Sequence, residues 1–144
     1  MKLSFGRGGL ALTWLMSSLA LGACAGSQSA ARDPIAQASQ RLQGSWRVQS
    51  FTPEALLEPP LQSLLNAQLG TLTVVFEGEA FAASGPGVTM NGRVQILSAE
   101  GDVLTGTLFD ATGVGYRVAG QFQGSMFHFR SHDAPWRGTG VLQR

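Results

Sequence analysis

Short stretches of alternating apolar and polar residues, separated by turn residues, constrain the fold of this chain more than any other feature. These stretches are residues 71–77, 79–83, 89–97, 103–110, 116–123, 125–130 and 136–144. Alternation with a period of two is typical of strands that bury one face. Glycine-containing turns separate the stretches, so the sequence predicts consecutive antiparallel hairpins.

One more strand and one helix precede this region. Residues 45–51 also alternate, which places Trp46 on a buried face. Residues 52–54 have the composition of a helix start, and the prolines at 59 and 60 interrupt that helix. A second start follows, after which four leucines share one helical face: Leu61, Leu64, Leu65 and Leu69. We therefore expect one short amphipathic helix between strands 1 and 2.

The predicted fold class is mainly β, a small antiparallel barrel of seven or eight strands. A sandwich is the alternative, but closure into a barrel removes exposed strand edges. Five glycines fall inside the predicted strands, where they suit bends and bulges of a tightly curved sheet or, for some of them, loops: Gly92, Gly106, Gly120, Gly138 and Gly140.

The start of the first strand carries a family resemblance. Gly44-Ser45-Trp46, with Leu42 just before it, resembles the Gly-x-Trp signature of lipocalins and lipocalin-like families. The resemblance implies a barrel whose bottom is closed by Trp46, with an arginine near the last strand packed across the indole ring. We expect that arginine to be Arg144, with Arg137 as the alternative. The helix between strands 1 and 2 departs from lipocalin order and indicates a reduced, lipocalin-like barrel.

The N-terminal segment has the features of a secretory signal peptide. Lys2 and Arg7 precede an uncharged, mostly apolar run over residues 8–22, which is too short to span a bilayer as a helix. Leu21-Gly22-Ala23-Cys24 resembles the bacterial lipobox, in which the cysteine thiol accepts diacylglycerol. A plain secretory signal and an uncleaved signal-anchor are the alternatives, but the only cysteine of the chain stands where lipidation requires it.

The lipobox resemblance implies cleavage between Ala23 and Cys24, followed by acylation of the Cys24 thiol and of the new amine. Two acyl chains give stable membrane anchoring, where one chain would not. Residue 25 is Ala rather than Asp, which favours the outer membrane, facing the periplasm, if the source is Gram-negative. The expected organisation is a signal peptide over 1–23, the lipidated cysteine and a flexible tether over 24–40, and the β domain over 41–144. Residues 35–42 are an alternative site for a turn or two of helix.

Composition excludes several classes of function. The formal net charge is +1 and no run of Lys and Arg occurs, so nothing favours a nucleic-acid partner. A single cysteine excludes an internal disulfide framework and a multi-cysteine zinc site. We expect no cofactor.

Catalytic and metal-binding patterns are weak. His128 and His132 are four residues apart beside Asp133, but they span a strand end and a loop, so their rings need not converge. Ser125 and Ser131 lie near them without the Gly-x-Ser-x-Gly motif of a nucleophile elbow. We expect no catalytic residue and no metal ligand in this chain.

Aromatic residues are the remaining signal in the β region. Most are expected in the core, but an open barrel mouth would let some line an apolar pocket. The sequence therefore predicts an envelope lipoprotein whose barrel binds a small apolar or amphipathic ligand. The alternative is a non-enzymatic module that binds an envelope protein and has a fully packed barrel; a hydrolase is a third, weaker hypothesis.

Replacing the expected lipid acceptor, Cys24→Ser, should leave the protein soluble or unprocessed, because serine lacks the nucleophilic thiol. Cell fractionation and mass spectrometry of the N-terminal peptide measure both outcomes. Unchanged membrane attachment with a cleaved N-terminus would show that the lipobox interpretation is wrong.

Overall fold

Eight antiparallel strands close into one barrel. The structure is a computed structural model that describes residues 32–144. Each strand pairs with the next along the chain, and the last pairs with the first. The elements are α1 (Pro34–Leu42), β1 (Gly44–Pro53), α2 (Pro59–Gln68), β2 (Thr73–Glu77), β3 (Ala80–Gly85), β4 (Val88–Glu100), β5 (Val103–Asp110), β6 (Gly115–Gln123), β7 (Met126–Ser131) and β8 (Gly138–Gln143). The predicted mainly β barrel, with one short helix between its first two strands, is confirmed. The signal peptide, Ala23, Cys24 and the first part of the expected tether lie outside the described residues.

The helix start predicted at residues 52–54 is wrong. β1 continues to Pro53, because Thr52 and Pro53 pair with Thr139 and Gly138 of β8. Proline is tolerated here at the end of the strand, where its missing N–H costs least. A long-range pairing thus overrides the local helix signal, and the helix begins only at Pro59.

The last part of the expected tether is a helix, α1, which lies at the alternative helix site predicted over residues 35–42. Asp33 caps α1 by accepting a hydrogen bond from the backbone N–H of Ile35 (3.0 Å), and Pro34 occupies the first turn. Ala38 and Leu42 are four residues apart, share one face and are buried. The chain is therefore already packed against the barrel from α1 onward.

A bulge in β1 turns the strand around the interior. Trp46 and Val48 are both buried, as the alternation predicts. The pairing with β8 then shifts register between Val48 and Ser50. An extra residue in one strand reverses which face the following residues occupy, and it brings Phe51 to the interior.

One end of the barrel is closed around Trp46. The Trp46 side chain is only 2% exposed, and its indole N–H donates to the carbonyl of Leu42 at the end of α1 (2.7 Å). The rings of Phe122 and Phe127 lie 6.3 and 6.4 Å from the indole, centroid to centroid. Trp46 therefore fills the end of the barrel, and its buried indole N–H is not left without a hydrogen-bond acceptor.

Arg144 lies over the same indole. Its guanidinium carbon is 4.5 Å from the centroid of the Trp46 ring, within the range of a cation–π interaction. The same guanidinium donates to the carbonyl oxygens of Arg41 and Gln43. The structure thus brings together Trp46 and Arg144, the pair expected from the sequence. Arg137 instead donates through Nε to the carbonyl of His132 (3.0 Å).

Side chains around the end of α1 complete this closure. Arg41 forms an ion pair with Asp102 (2.7 Å) and stacks 4.2 Å above the ring of Phe122. The amide of Gln43 makes two hydrogen bonds with the backbone of Gly78, in the turn between β2 and β3. Helix α1 is therefore fixed to the barrel through both apolar and polar contacts.

Two strand glycines make room for aromatic rings inside the barrel. A Cβ at Gly120 would collide with the ring of Phe127, and a Cβ at Gly140 would collide with the ring of Phe129. The rings therefore lie flat across the neighbouring strands, a close approach that only glycine allows.

Neither α1 nor α2, the two helices within residues 32–144, is long and apolar enough to cross a membrane.

Trp46→Ala should lower the free energy of unfolding by about 3 to 5 kcal/mol, the usual cost of removing a buried large aromatic side chain. Trp136→Ala is the matched control and should cost less, because Trp136 is only half-buried. Denaturant unfolding followed by circular dichroism measures both changes. A loss of less than about 1 kcal/mol for Trp46→Ala would show that this side chain contributes little to the stability of the core.

Candidate functional site

The barrel interior contains a cavity above the closed end. Its volume is about 330 Å³, and it extends from the Trp46 end of the barrel to α2. The residues that line it near the closed end are apolar: Leu42, Val48, Phe76, Leu104, Phe127 and Leu142. Eight strands leave an interior just wide enough for side chains or one small ligand, and here the side chains do not fill it.

Polar side chains line only the opposite end of the cavity. Asp110 ends β5, Tyr116 is the second residue of β6 and Ser131 ends β7, so antiparallel pairing brings all three to the same end. Thr107 and Gln68 also line the cavity. The cavity is thus apolar at its closed end and mixed at the end covered by α2. This polarity suits a ligand with an apolar body and a polar group at one end.

Helix α2 covers the mixed end of the cavity. Leu64, Leu65 and Gln68 occupy adjacent positions on one helical face and line the cavity. Two of the four leucines predicted on one helical face, Leu64 and Leu65, therefore face the cavity. They cover the cavity without filling it. Thr71 terminates the helix by donating its hydroxyl to the carbonyl of Ala67 (2.8 Å).

Gln68 is the polar residue that the sequence analysis missed. Its side chain is buried, with 5% exposed, and its Nε2 donates to the carbonyl of Pro86 in the turn between β3 and β4 (2.7 Å). Its Oε1 has no hydrogen-bond partner among residues 32–144. The sequence signal was a polar residue three positions after Leu65, on the same helical face as the leucines.

Asp110 stabilises the turn between β5 and β6 through one oxygen of its carboxylate. Its Oδ1 accepts hydrogen bonds from the hydroxyl and backbone N–H of Thr112 and from the N–H of Val114, at 2.6 to 3.0 Å. The Thr112 hydroxyl, together with these backbone donors, holds the pKa of the Asp110 carboxyl below its usual value. The carboxylate is therefore ionised at neutral pH.

Two ion pairs lie beside the mixed end of the barrel. Arg117 makes a two-atom contact with Asp133, whose carboxylate also accepts the backbone N–H of Arg117 (2.7 Å). Arg130 contacts Glu54 at the end of β1. These pairs fix the loop after β7, which carries Trp136 onto the edge of the cavity.

The histidine pair does not form a metal site. His128 lies on the opposite face of β7 from Phe127 and Phe129, whereas His132 follows the end of that strand. Asp133 is engaged with Arg117. Within residues 32–144, no group of three His, Cys, Asp or Glu side chains is close enough to hold a metal ion.

The sequence matches no protein-family model, and no curated protein matches it significantly. The function is therefore inferred from the geometry of the barrel.

The Asp133–Arg117 pair should make stability depend on pH. The hydrogen bond from the Arg117 guanidinium lowers the pKa of Asp133 to about 2. A lowered carboxylate pKa stabilises the fold above the unfolded-state value of about 3.9 and loses that effect as the pH falls toward 2. Asp133→Asn should therefore be less stable than the wild type at neutral pH, and the difference should shrink below about pH 4. Urea unfolding at several pH values measures this, and a difference independent of pH would contradict it.

Proposed function

We propose that this protein is a lipid-anchored bacterial envelope protein whose lipocalin-like barrel binds a small apolar or amphipathic molecule. The observation that carries the binding proposal is the cavity of about 330 Å³ between the closed end and α2. Pockets that bind small molecules are concave and mostly apolar, with a few polar groups placed to orient the ligand. This cavity has that composition.

The size of the cavity limits the ligand. Ligand pockets span about 300 to 1,000 Å³, so this one is at the small end of that range. Each methylene moved from water into the cavity contributes about 0.8 kcal/mol to binding. A chain of around ten carbons, or a compact ring system of similar volume, would bind through its apolar surface alone.

The packed-barrel alternative is less well supported. A barrel used only as an interaction module has no need of an unfilled interior, and unfilled apolar volume lowers the stability of a small domain. A hydrolase is also less well supported, because Asp110 serves a turn and Asp133 an ion pair. Binding without catalysis is therefore the function we propose.

Lipid anchoring is the second part of the proposal. It rests on the resemblance of Leu21-Gly22-Ala23-Cys24 to the lipobox and on the position of the only cysteine in the chain. The anchor would hold the barrel at the inner face of the outer membrane, in contact with the periplasm. A binding protein in that position meets apolar molecules that leave or enter the membrane.

Filling the cavity should weaken ligand binding. Ala83 is buried, lies on the inner face of β3 and lines the cavity, so Ala83→Phe places a ring in the ligand space. Titration with N-phenyl-1-naphthylamine, a dye that fluoresces in apolar surroundings, should give saturable binding to the wild type. Binding to Ala83→Phe should be at least about tenfold weaker, because the ring excludes several methylene equivalents of ligand.

Ala82→Phe is the matched control, since Ala82 precedes Ala83 on the same strand but is exposed on the outer face. This variant should bind the dye as the wild type does. If Ala83→Phe is unfolded by circular dichroism, Ala83→Leu replaces it as a smaller filling residue. Absence of saturable binding to the wild type, or equal binding by both variants, would overturn the proposal.

A further inference from the structure

One ionised side chain lines the otherwise uncharged cavity. Among the described residues that line it, Asp110 alone carries a charge, and none is Lys, Arg or His. The ion pairs beside this end, Arg117 with Asp133 and Arg130 with Glu54, each balance their own charge. The negative charge of Asp110 is therefore left for a ligand to neutralise, since a carboxylate beside apolar surface is stabilised by a cation.

The strand register turns Asp110 toward the interior. Leu104 and Leu108 line the cavity, and Asp110 follows Leu108 at a spacing of two on β5. Phe109 lies on the outer face, where the guanidinium carbon of the exposed Arg93 is 5.7 Å from the centroid of its ring. The pairing of β5 with β4 is regular from Leu108 to Asp110, so both side chains leave the strand on the inner face.

One oxygen of the Asp110 carboxylate is available to a ligand. Oδ1 accepts the hydrogen bonds from Thr112 and Val114. Within residues 32–144, Oδ2 accepts no hydrogen bond, forms no ion pair and is not among the fully buried atoms that lack a partner. The residue paired with Asp110 on β4 is Gly92, which has no side chain to cover the carboxylate. A ligand can therefore bind Oδ2 without breaking the turn.

Aromatic rings at the same end favour a cation over other polar groups. Tyr116 on β6 and Trp136 in the loop after β7 both line the cavity. The faces of such rings attract ammonium groups that lie within about 6 Å, and the attraction grows when water is excluded. An anionic group would instead meet the Asp110 carboxylate without a compensating cation. The mixed end thus suits a positively charged nitrogen.

We propose that the ligand is a cationic amphiphile, an apolar molecule with one ammonium group that binds Oδ2 of Asp110. The ammonium group lies at the mixed end, and the apolar body extends toward Leu42 and Leu142 at the closed end. This inference rests on the proposed function, because it assigns the charge of the ligand in the same cavity.

Isothermal titration calorimetry with three ligands of one chain length tests the assignment. The ligands are decylamine, 1-decanol and decanoate, which are cationic, neutral and anionic at neutral pH. The wild-type protein should bind decylamine at least about fivefold more tightly than decanol, as expected for a hydrogen bond to a charged group at a partly exposed site. Decanoate should bind most weakly, because its charge repels that of Asp110.

Asp110→Asn removes the charge and keeps a side-chain oxygen that can accept the hydrogen bonds of the turn. This variant should bind decylamine and decanol with nearly equal affinity, while its affinity for decanol stays that of the wild type. Glu58→Gln is the matched control, because it makes the same change of charge at an exposed residue that precedes α2 and does not line the cavity. It should keep the wild-type ratio of affinities.

A second measurement needs no variant and replaces the first comparison if Asp110→Asn does not fold. The carbon-13 resonance of the Asp110 carboxyl group in the wild type reports a bound ammonium directly. Saturating decylamine should shift this resonance, and saturating decanol should shift it less. A resonance that decylamine leaves in place would overturn the inference.

The outcomes separate the two proposals. Failure of all three ligands to bind the wild type would overturn the proposed function and this inference together. Binding of decanol or decanoate as tightly as decylamine would leave the proposed function standing and overturn the inference. A preference for decylamine that persists in Asp110→Asn, or that is lost equally in Glu58→Gln, would also overturn it.

Discussion

Closure of the barrel around Trp46 is the interaction on which the remaining architecture depends. The indole fills the end of the barrel, donates its N–H to Leu42 and supports the guanidinium of Arg144 on its face. These contacts join the end of α1, the first strand and the residue after the last strand at one point. Because that end is sealed by a satisfied aromatic cluster, the space above it is a blind pocket with a single covered end rather than a channel.

The strand pairing then determines the shape and polarity of the space. Glycines 120 and 140 let the rings of Phe127 and Phe129 lie against the barrel wall, so these rings line the interior without blocking it. The chain reverses at one end through the turns that carry Asp110 and Ser131, and this end collects the polar groups. Helix α2 lies across it through two leucines and Gln68. These placements produce a cavity that is apolar at its closed end and has polar side chains only at the end covered by α2.

The sequence predicted the parts of this fold that depend on local patterns. Strand β5 has the predicted bounds, and most other strands differ by a few residues, because alternation and glycine turns are read from neighbouring positions. The contact of Trp46 with Arg144 was expected only through a family resemblance. The helix start at Pro53 failed because pairing with β8, more than eighty residues away, outweighs local propensity.

The candidate site was predictable in kind but not in detail. Apolar residues at alternating strand positions indicate that the barrel has an apolar interior. Whether side chains fill that interior depends on how the rings of Phe127 and Phe129 pack across neighbouring strands, which the sequence does not show. Gln68 was overlooked because a single glutamine on a leucine face also suits a solvent-exposed helix edge. Its burial depends on the hydrogen bond from its amide to the carbonyl of Pro86, eighteen residues away in the sequence.

Xenon binding in crystals of the protein tests the central claim, an unfilled apolar space inside a closed barrel, most directly. Xenon enters dry apolar cavities without needing a specific hydrogen-bond partner. A strong xenon peak between Leu65 of α2 and Leu142 near the closed end is the result that this account predicts. An interior in which side chains occupy that volume, with no xenon peak inside the barrel, would contradict it.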